Sequence, residues 1–206
     1  MSAQPVGLIV LAAGASSRMG TPKQLLRYDG ETLLRRAVRV ALGARCRPAV
    51  VVLGAQAEAL RGEIVGAQVV INQEWAEGMA SSIRCGLHAL ATAMAEPLAA
   101  VVLLLCDQPF VTSMIIDRLL ETYERKRPLL VASEYEADGE RTQGVPALFS
   151  RALFSELMAL HGAEGARRVI RRHASKAALI AAPEAAFDVD TPEDYRRLAN
   201  AVNLCA

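Results

Sequence analysis

The chain has 206 residues, 52% hydrophobic but only 4% aromatic, so Ala, Leu and Val must build its core. Its 23 Lys and Arg against 22 Asp and Glu leave a net charge of +1, which argues against electrostatically driven, non-specific nucleic-acid binding and makes any anion site local. The length supports one sizeable core, and residues 1–206 are expected to form a single domain.

The opening VGLIVLAAGA lacks the basic start of a secretion signal, and a loop bearing Arg18 and Lys23 follows at once. It reads as a strand over 7–13. Further apolar runs predict strands at 48–54, 67–72, 99–106 and 129–135, with shorter patterns at 145–150 and 177–181. The runs are continuously apolar rather than alternating, as in a parallel sheet covered on both faces. Between them, Leu33, Leu34, Ala37, Val38, Ala41 and Leu42 form a helical stripe. Ile83, Leu87, Leu90 and Met94 form a second, and Ile115, Ile116, Leu119, Leu120 and Tyr123 a third. Near the end, TPEDYRRL places Thr191 as N-cap, Pro192 at the first helical position and Asp194 at the third, with Tyr195, Leu198 and Val202 facing inward. The alternation predicts βαβ units in a doubly wound α/β sheet. The polar segment 134–144 is expected to be a mobile surface loop. PLAAVVLLLC is too short for the roughly twenty residues that span a bilayer. Cys46, Cys85, Cys106 and Cys205 show no C-x-x-C spacing. Reduced thiols in a soluble, cytoplasmic protein without a membrane anchor are expected.

In open α/β sheets ligands bind beyond the carboxyl ends of strands. The first strand ends in Leu11-Ala12-Ala13-Gly14-Ala15-Ser16-Ser17-Arg18, where small residues let backbone N–H groups approach an anion. A loop entering a helix would aim those donors, Arg18 could grip a phosphate through two hydrogen bonds and Lys23 could act as a point charge. The P-loop and dinucleotide fingerprints are absent, and a Gly-rich turn with solvated cations is the plainer reading. Asp107 follows the strand at 99–106, where a carboxylate either starts a turn or holds a divalent cation whose shell phosphates complete. Asp188 and Asp190 precede the last helix, and either suits a second metal ligand; Asp190 leaves Val189 free to enter the core. Gly78 and Met79 lead to Ser81 and Ser82 at the start of the Ile83 helix, as an N-cap or as recognition of a base or ribose. Gly86 suits close helix packing. His88, His161 and His173 are scattered, Ser16, Ser17 and the cysteines have no evident His–acid partner, and Arg167, Arg168, Arg171 and Arg172 read as a solvated face or as one phosphate ligand among them.

LAAGASSRMGTPKQLL, NQEWAEGMASSIRCGL, LLLCDQP, QGVPALFSRALF, GAEGAR and DVDTPEDY occur in the order found in MobA-like NTP transferases, and the chain resembles the molybdenum cofactor cytidylyltransferase branch along essentially its whole length. The resemblance implies a Rossmann-like, mostly parallel sheet of the nucleotidyltransferase type with helices on both faces. It implies that Leu11, Ala12, Ala13 and Gly14 line the base and ribose, with Gly78, Met79 and Ser82 beside them. Arg18 and Lys23 would hold the triphosphate, Asp107 would bind Mg²⁺ with Asp190 as companion, and Gly144, Val145 and Pro146 would meet the acceptor. Ala13 stands where guanylyl-transferring members have Gly, which is similar to the cytidylyl branch. Val145 and Ala163 depart from the His and Asp of many relatives, both toward the acceptor.

The implied reaction moves CMP from CTP to a phosphorylated acceptor of molybdopterin type and releases pyrophosphate. An acceptor phosphate is already ionised, so no general base is needed. Arg18, Lys23 and Asp107 would carry catalysis, and an apoenzyme that takes up the finished cofactor is an implied partner. A sugar-phosphate or other metabolite nucleotidyltransferase would share the nucleotide loop. A nucleotide-binding cofactor chaperone would bind CTP without releasing pyrophosphate.

Overall fold

The structure, a computed structural model, describes residues 4–137 and 139–203. Its main sheet has seven strands in the order β5-β4-β1-β6-β8-β7-β9: β1 (Val6–Leu11), β4 (Ala49–Leu53), β5 (Gln68–Ile71), β6 (Ala100–Leu105), β7 (Leu130–Ala137), β8 (Glu140–Ser150) and β9 (Ala178–Ala181). β1 pairs in parallel with β4 and β6, β4 with β5 and β7 with β9, whereas β8 runs antiparallel to β6 and β7. A small hairpin, β2 (Arg27–Tyr28) and β3 (Glu31–Thr32), leaves the main sheet. The helices are α1 (Leu33–Gly43), α2 (Ala57–Arg61), α3 (Met79–Ala93), α4 (Ser113–Lys126), α5 (Phe154–Met158), α6 (Ala166–Arg172) and α7 (Pro192–Asn203). Among the described residues no helix is long and apolar enough to cross a membrane.

The expected mostly parallel, doubly wound sheet is thus present, and side-chain parity explains it. Leu8 and Val10 of β1 join Val51, Val102 and Leu104 on the face covered by α1 and α4. Ile9 and Leu11 join Val50, Val52, Val101 and Leu103 on the face covered by α3, α5 and α6. With both faces buried, every position must be apolar, which is why the strands read as continuous runs. α7 closes a smaller cluster, in which Val189 and Leu198 pack on Leu33. Its start is a capping box: Asp194 N donates to Thr191 Oγ1 at 3.2 Å, and Thr191 N donates to Asp194 Oδ2 at 2.9 Å. The inward face expected of Val202 and the thiol of Cys205 lie outside the described side chains; the other three cysteines are free thiols.

Segment 134–144 corrects the sequence reading. Outside Asp138, which is not among the described residues, it is the outer part of the β7–β8 hairpin, with Glu134 opposite Gln143, Tyr135 opposite Thr142 and Glu136 opposite Arg141. These strands project beyond the doubly covered sheet, so buried Tyr135 alternates with exposed Glu136 and the run looks polar.

Gly86 lets α3 lie close on the sheet: a Cβ there would sit 2.7 Å from Ile9 Cγ2 and 3.1 Å from Val52 Cγ2. Both neighbours are buried and β-branched, so neither gives easily. Gly86→Ala is therefore predicted to lower stability by about 1 kcal/mol, overpacking outweighing the gain in helix propensity. Urea unfolding checks this, and a more stable variant would count against the packing account.

Candidate functional site

β1 and β6 are neighbours whose following connections lead to opposite halves of the sheet, so a crevice opens beyond their carboxyl ends. The loop after β1 is folded around Gln24, which is 1% exposed. Gln24 Nε2 donates to Ala12 O at 3.0 Å and Gly14 O at 2.8 Å, and its Oε1 accepts from Ser16 Oγ at 3.1 Å. Ser16 Oγ also accepts from Lys23 N at 3.0 Å, with Ser16 itself in a left-handed conformation (φ 56°). Sequence reading missed Gln24; its one signal is an amide immediately before the apolar Leu25 and Leu26. The loop does not enter an α-helix as expected. Lys23–Leu25 makes a single 3-10 turn, extended Leu26 ends it, and the first α-helix begins only at Leu33 after the β2–β3 hairpin. The anion donors here are loop groups and side chains, without a helix N-terminus behind them.

Lys23 is the centre of the crevice. Its ammonium donates to Asp107 Oδ2 in a very short contact and to Asp190 Oδ1 at 2.8 Å, and Arg18 donates to Asp190 Oδ2 at 3.0 Å. Residues separated by more than eighty positions meet because Asp107 lies in the turn just after β6 while Asp190 sits at the capped start of α7. Val189 N donates to Asp107 O at 2.9 Å and ties the two segments together. Burial works to lower the Lys23 ammonium, but the Asp107 and Asp190 carboxylates outweigh it and raise the amine above its ordinary range. Burial works against Asp190 too, and Lys23 and Arg18 still keep its carboxyl below the usual range. Asp188 has no such partner. Burial, with the charges of Asp107 and Asp190 nearby, pushes it up to about 6.

Two cavities meet at this cluster. The first, about 310 Å³, is lined by Ala12, Ala13, Gly14, Gly78 and Ser82 together with Trp75. The second, about 430 Å³, is lined by Arg18, Asp188, Asp190, Tyr135, Val145 and Arg167 among others. Leu11, Lys23, Met79, Leu105 and Asp107 line both. The expected nucleotide-side residues are therefore together in one cavity, except that Arg18 borders the second. On the acceptor side only Val145 of the expected trio reaches the cavity. Gly144 lies beneath the Tyr135 hydroxyl, and buried Pro146, after a cis peptide bond, accepts from Ser133 Oγ at 2.6 Å.

The turn before α3 is also pinned. Asn72 Nδ2 donates to Ser81 Oγ at 2.8 Å and Ser82 Oγ at 3.1 Å, and Ser81 Oγ donates to Gly78 O at 2.8 Å. The helix starts at Met79, so Gly78 rather than either Ser is the N-cap. Gly78 holds φ 127°, and a Cβ there would lie 2.3 Å from Gly162 O, so only glycine fits this crossing. Of the four-arginine run, Arg168 pairs with Glu164 and Arg172 with Glu156, while Arg167 turns to Tyr135 Oη at 3.3 Å. Asn72, Tyr135 and Gln108, which donates to Val145 O and Ala185 O at 3.1 Å, were not marked by sequence reading.

The donor set suits a hard cation. Asp107 Oδ1 is buried without a hydrogen-bond partner, and Asp190 stands on the far side of Lys23. Among the described residues no three His, Cys, Asp or Glu converge into a closed metal cage. One or two carboxylates completed by phosphate oxygens is the arrangement Mg²⁺-type ions favour.

Comparison with known proteins bears on this geometry. The chain is 32% identical to the nicotine blue oxidoreductase of Paenarthrobacter nicotinovorans, over 92% of this chain and 94% of that one. It is 29% identical to the molybdenum cofactor guanylyltransferase of a Shewanella species, over 97% of each. The Rv0371C protein of Mycobacterium tuberculosis, solved as a complex with manganese, superimposes with a TM-score of 0.75 at 31% identity, over 97% of this chain and 100% of that one. The sequence pattern of the MobA-like NTP transferase domain matches residues 8–177, and the chain belongs to that family of nucleotidyltransferases.

Proposed function

We propose that the chain acts as one domain that transfers CMP from CTP to a phosphorylated acceptor of molybdopterin type. The observation that carries this reading is Lys23, bridging Asp107 and Asp190 at the seam of two cavities. A reaction between two polyanions needs positive charge where they meet, and a preorganised cluster supplies it without reorganisation during the reaction. The first cavity takes the nucleotide, with its triphosphate at the Lys23 end. The second takes the acceptor, with Arg167 and Arg18 as the cations that meet its phosphate. An acceptor phosphate oxygen attacks the α-phosphorus and pyrophosphate departs. The acceptor oxygen is already ionised, so Asp188, raised by burial, has no proton to remove. Asp107 and Asp190 would hold a divalent cation, Mg²⁺ or Mn²⁺. Such a cation supplies Lewis acidity to the phosphate oxygens. Lys23 orients the carboxylates and adds a charge for the triphosphate. Holding both reactants in line contributes several kcal/mol, up to about 7–11 in well-oriented systems.

The choice of cytosine rests on Ala13, and the choice of a molybdopterin-type acceptor rests on the motif order shared with the molybdenum cofactor branch. The Shewanella relative, named for guanylyl transfer in the same cofactor chemistry, supports the acceptor class. The Paenarthrobacter relative, named for an oxidoreductase, favours a second reading in which the second cavity takes a redox-active substrate. The carboxylate–lysine cluster favours transfer, because hydride movement does not require it.

Pyrophosphate release from CTP, with Mg²⁺ and with or without molybdopterin, separates the readings. Release that depends on CTP, metal and acceptor is expected; binding without release would leave the transferase reading without support. Asp107→Asn is predicted to lower kcat by roughly 10²–10³-fold with the fold retained, as for loss of one preorganised electrostatic group. Lys23→Ala is predicted to lower kcat comparably, and steady-state rates with CTP near wild type would remove Lys23 from the site. Arg167→Ala is predicted to raise KM for the acceptor about tenfold, the scale of one charge-assisted contact, while KM for CTP stays fixed.

A further inference from the structure

The nucleotide cavity has two ends. Lys23 and Asp107 belong to the end shared with the second cavity. Trp75 lines the first cavity and not the second, so it borders the part of the nucleotide cavity that the acceptor side does not share, where a triphosphate on Lys23 leaves room for its base. Trp75 is the single tryptophan of the chain and stays 38% exposed. A large aromatic left at a cavity mouth retains apolar area that a flat ligand can cover.

Its backbone is pinned on both sides. Trp75 opens the 3-10 turn Trp75–Glu77, and its carbonyl accepts from Gly78 N at 3.1 Å. Immediately before it, Glu74 N donates to Asn72 Oδ1 at 2.9 Å, and Glu74 O lies 2.9 Å from Ser81 Oγ, whose single proton it shares with Gly78 O. The residue also sits directly on the end of β4. A Cβ at Gly54 would lie 2.5 Å from Trp75 Cβ and 2.9 Å from Ala13 Cβ, so the missing side chain at Gly54 brings Trp75 and Ala13 together. Ala55 N donates to Ala13 O at 3.1 Å and fixes that approach. A backbone and Cβ held this firmly fix where the indole leaves the chain, which limits the ordering that a stacking contact must bring about.

We propose that Trp75 is the stacking wall for the nucleotide base. The proposal rests on the nucleotide reading of the first cavity and adds to it the residue that grips the base. Stacking is tolerant of base identity, so Trp75 supplies affinity and orientation while Ala13 beside it limits the space.

The single tryptophan makes the test direct. CTP is titrated into the protein with Mg²⁺ and no acceptor, following intrinsic fluorescence and heat. Saturable fluorescence quenching that tracks the calorimetric isotherm is expected, whereas tripolyphosphate, which lacks a base, is expected to bind without quenching. Trp75→Ala is expected to raise KM for CTP about tenfold with kcat and acceptor KM held, and Trp75→Phe to restore most of the loss. Circular dichroism of both variants verifies the fold. Calorimetric binding of CTP without a fluorescence change overturns the stacking proposal alone, as does wild-type affinity in Trp75→Ala. No calorimetric binding of CTP to the wild type overturns the nucleotide reading and this proposal together.

Discussion

The bridge from Lys23 to Asp107 and Asp190 is the constraint on which the rest of the site depends. Two carboxylates set at the crevice repel each other and resist burial. A protonated amine between them offsets both costs and, with Arg18, holds the Asp190 carboxyl below its usual range, ready to meet a cation or to release the amine toward an anionic ligand. Losing one member of such a partly buried group leaves charge less well compensated, which costs stability as well as chemistry. The bridge is therefore as much a folding element as a chemical one, since it joins the first loop, the end of β6 and the start of α7.

Everything around the bridge fixes its parts without filling the cavities. Gln24 holds the first loop from beneath through two backbone carbonyls, and Asn72 holds the turn before α3 through two serines. Gly78 lets that turn cross the Gly162 backbone, where Ala80 N donates to Gly162 O at 3.2 Å. The Glu77 carboxylate receives Gly162 N at 3.2 Å from the same loop. The nucleotide-side turn and the 160–167 segment that leads to Arg167 are thereby one packed unit.

Much of this was legible in the sequence where one physical cause dominates. The central strands must be apolar at every position because both faces are covered, so their runs stood out, and the Thr191–Asp194 box announced α7 residue by residue. Lys23, Asp107 and Asp190 were singled out from loop chemistry and motif order, although only the fold shows Lys23 lying between the two acids. The projecting part of the β7–β8 hairpin was hidden because, away from the covering helices, its strands alternate and resemble a polar loop. Gln24, Asn72 and Tyr135 were hidden for another reason. Their value lies in partners distant in the chain or across a turn, and an amide or a phenol has no periodicity to betray it. Arg167 could not be told from its three arginine neighbours until α6 was seen to aim it alone at Tyr135.

The central claim is that two substrates meet directly at the Lys23 seam, with no covalent intermediate on the protein. The most direct measurement is the stereochemical course of transfer from CTP carrying a chiral α-phosphorothioate to molybdopterin. A single in-line displacement predicts inversion at the α-phosphorus. Retention would require two displacements through a group on the protein and would contradict the account.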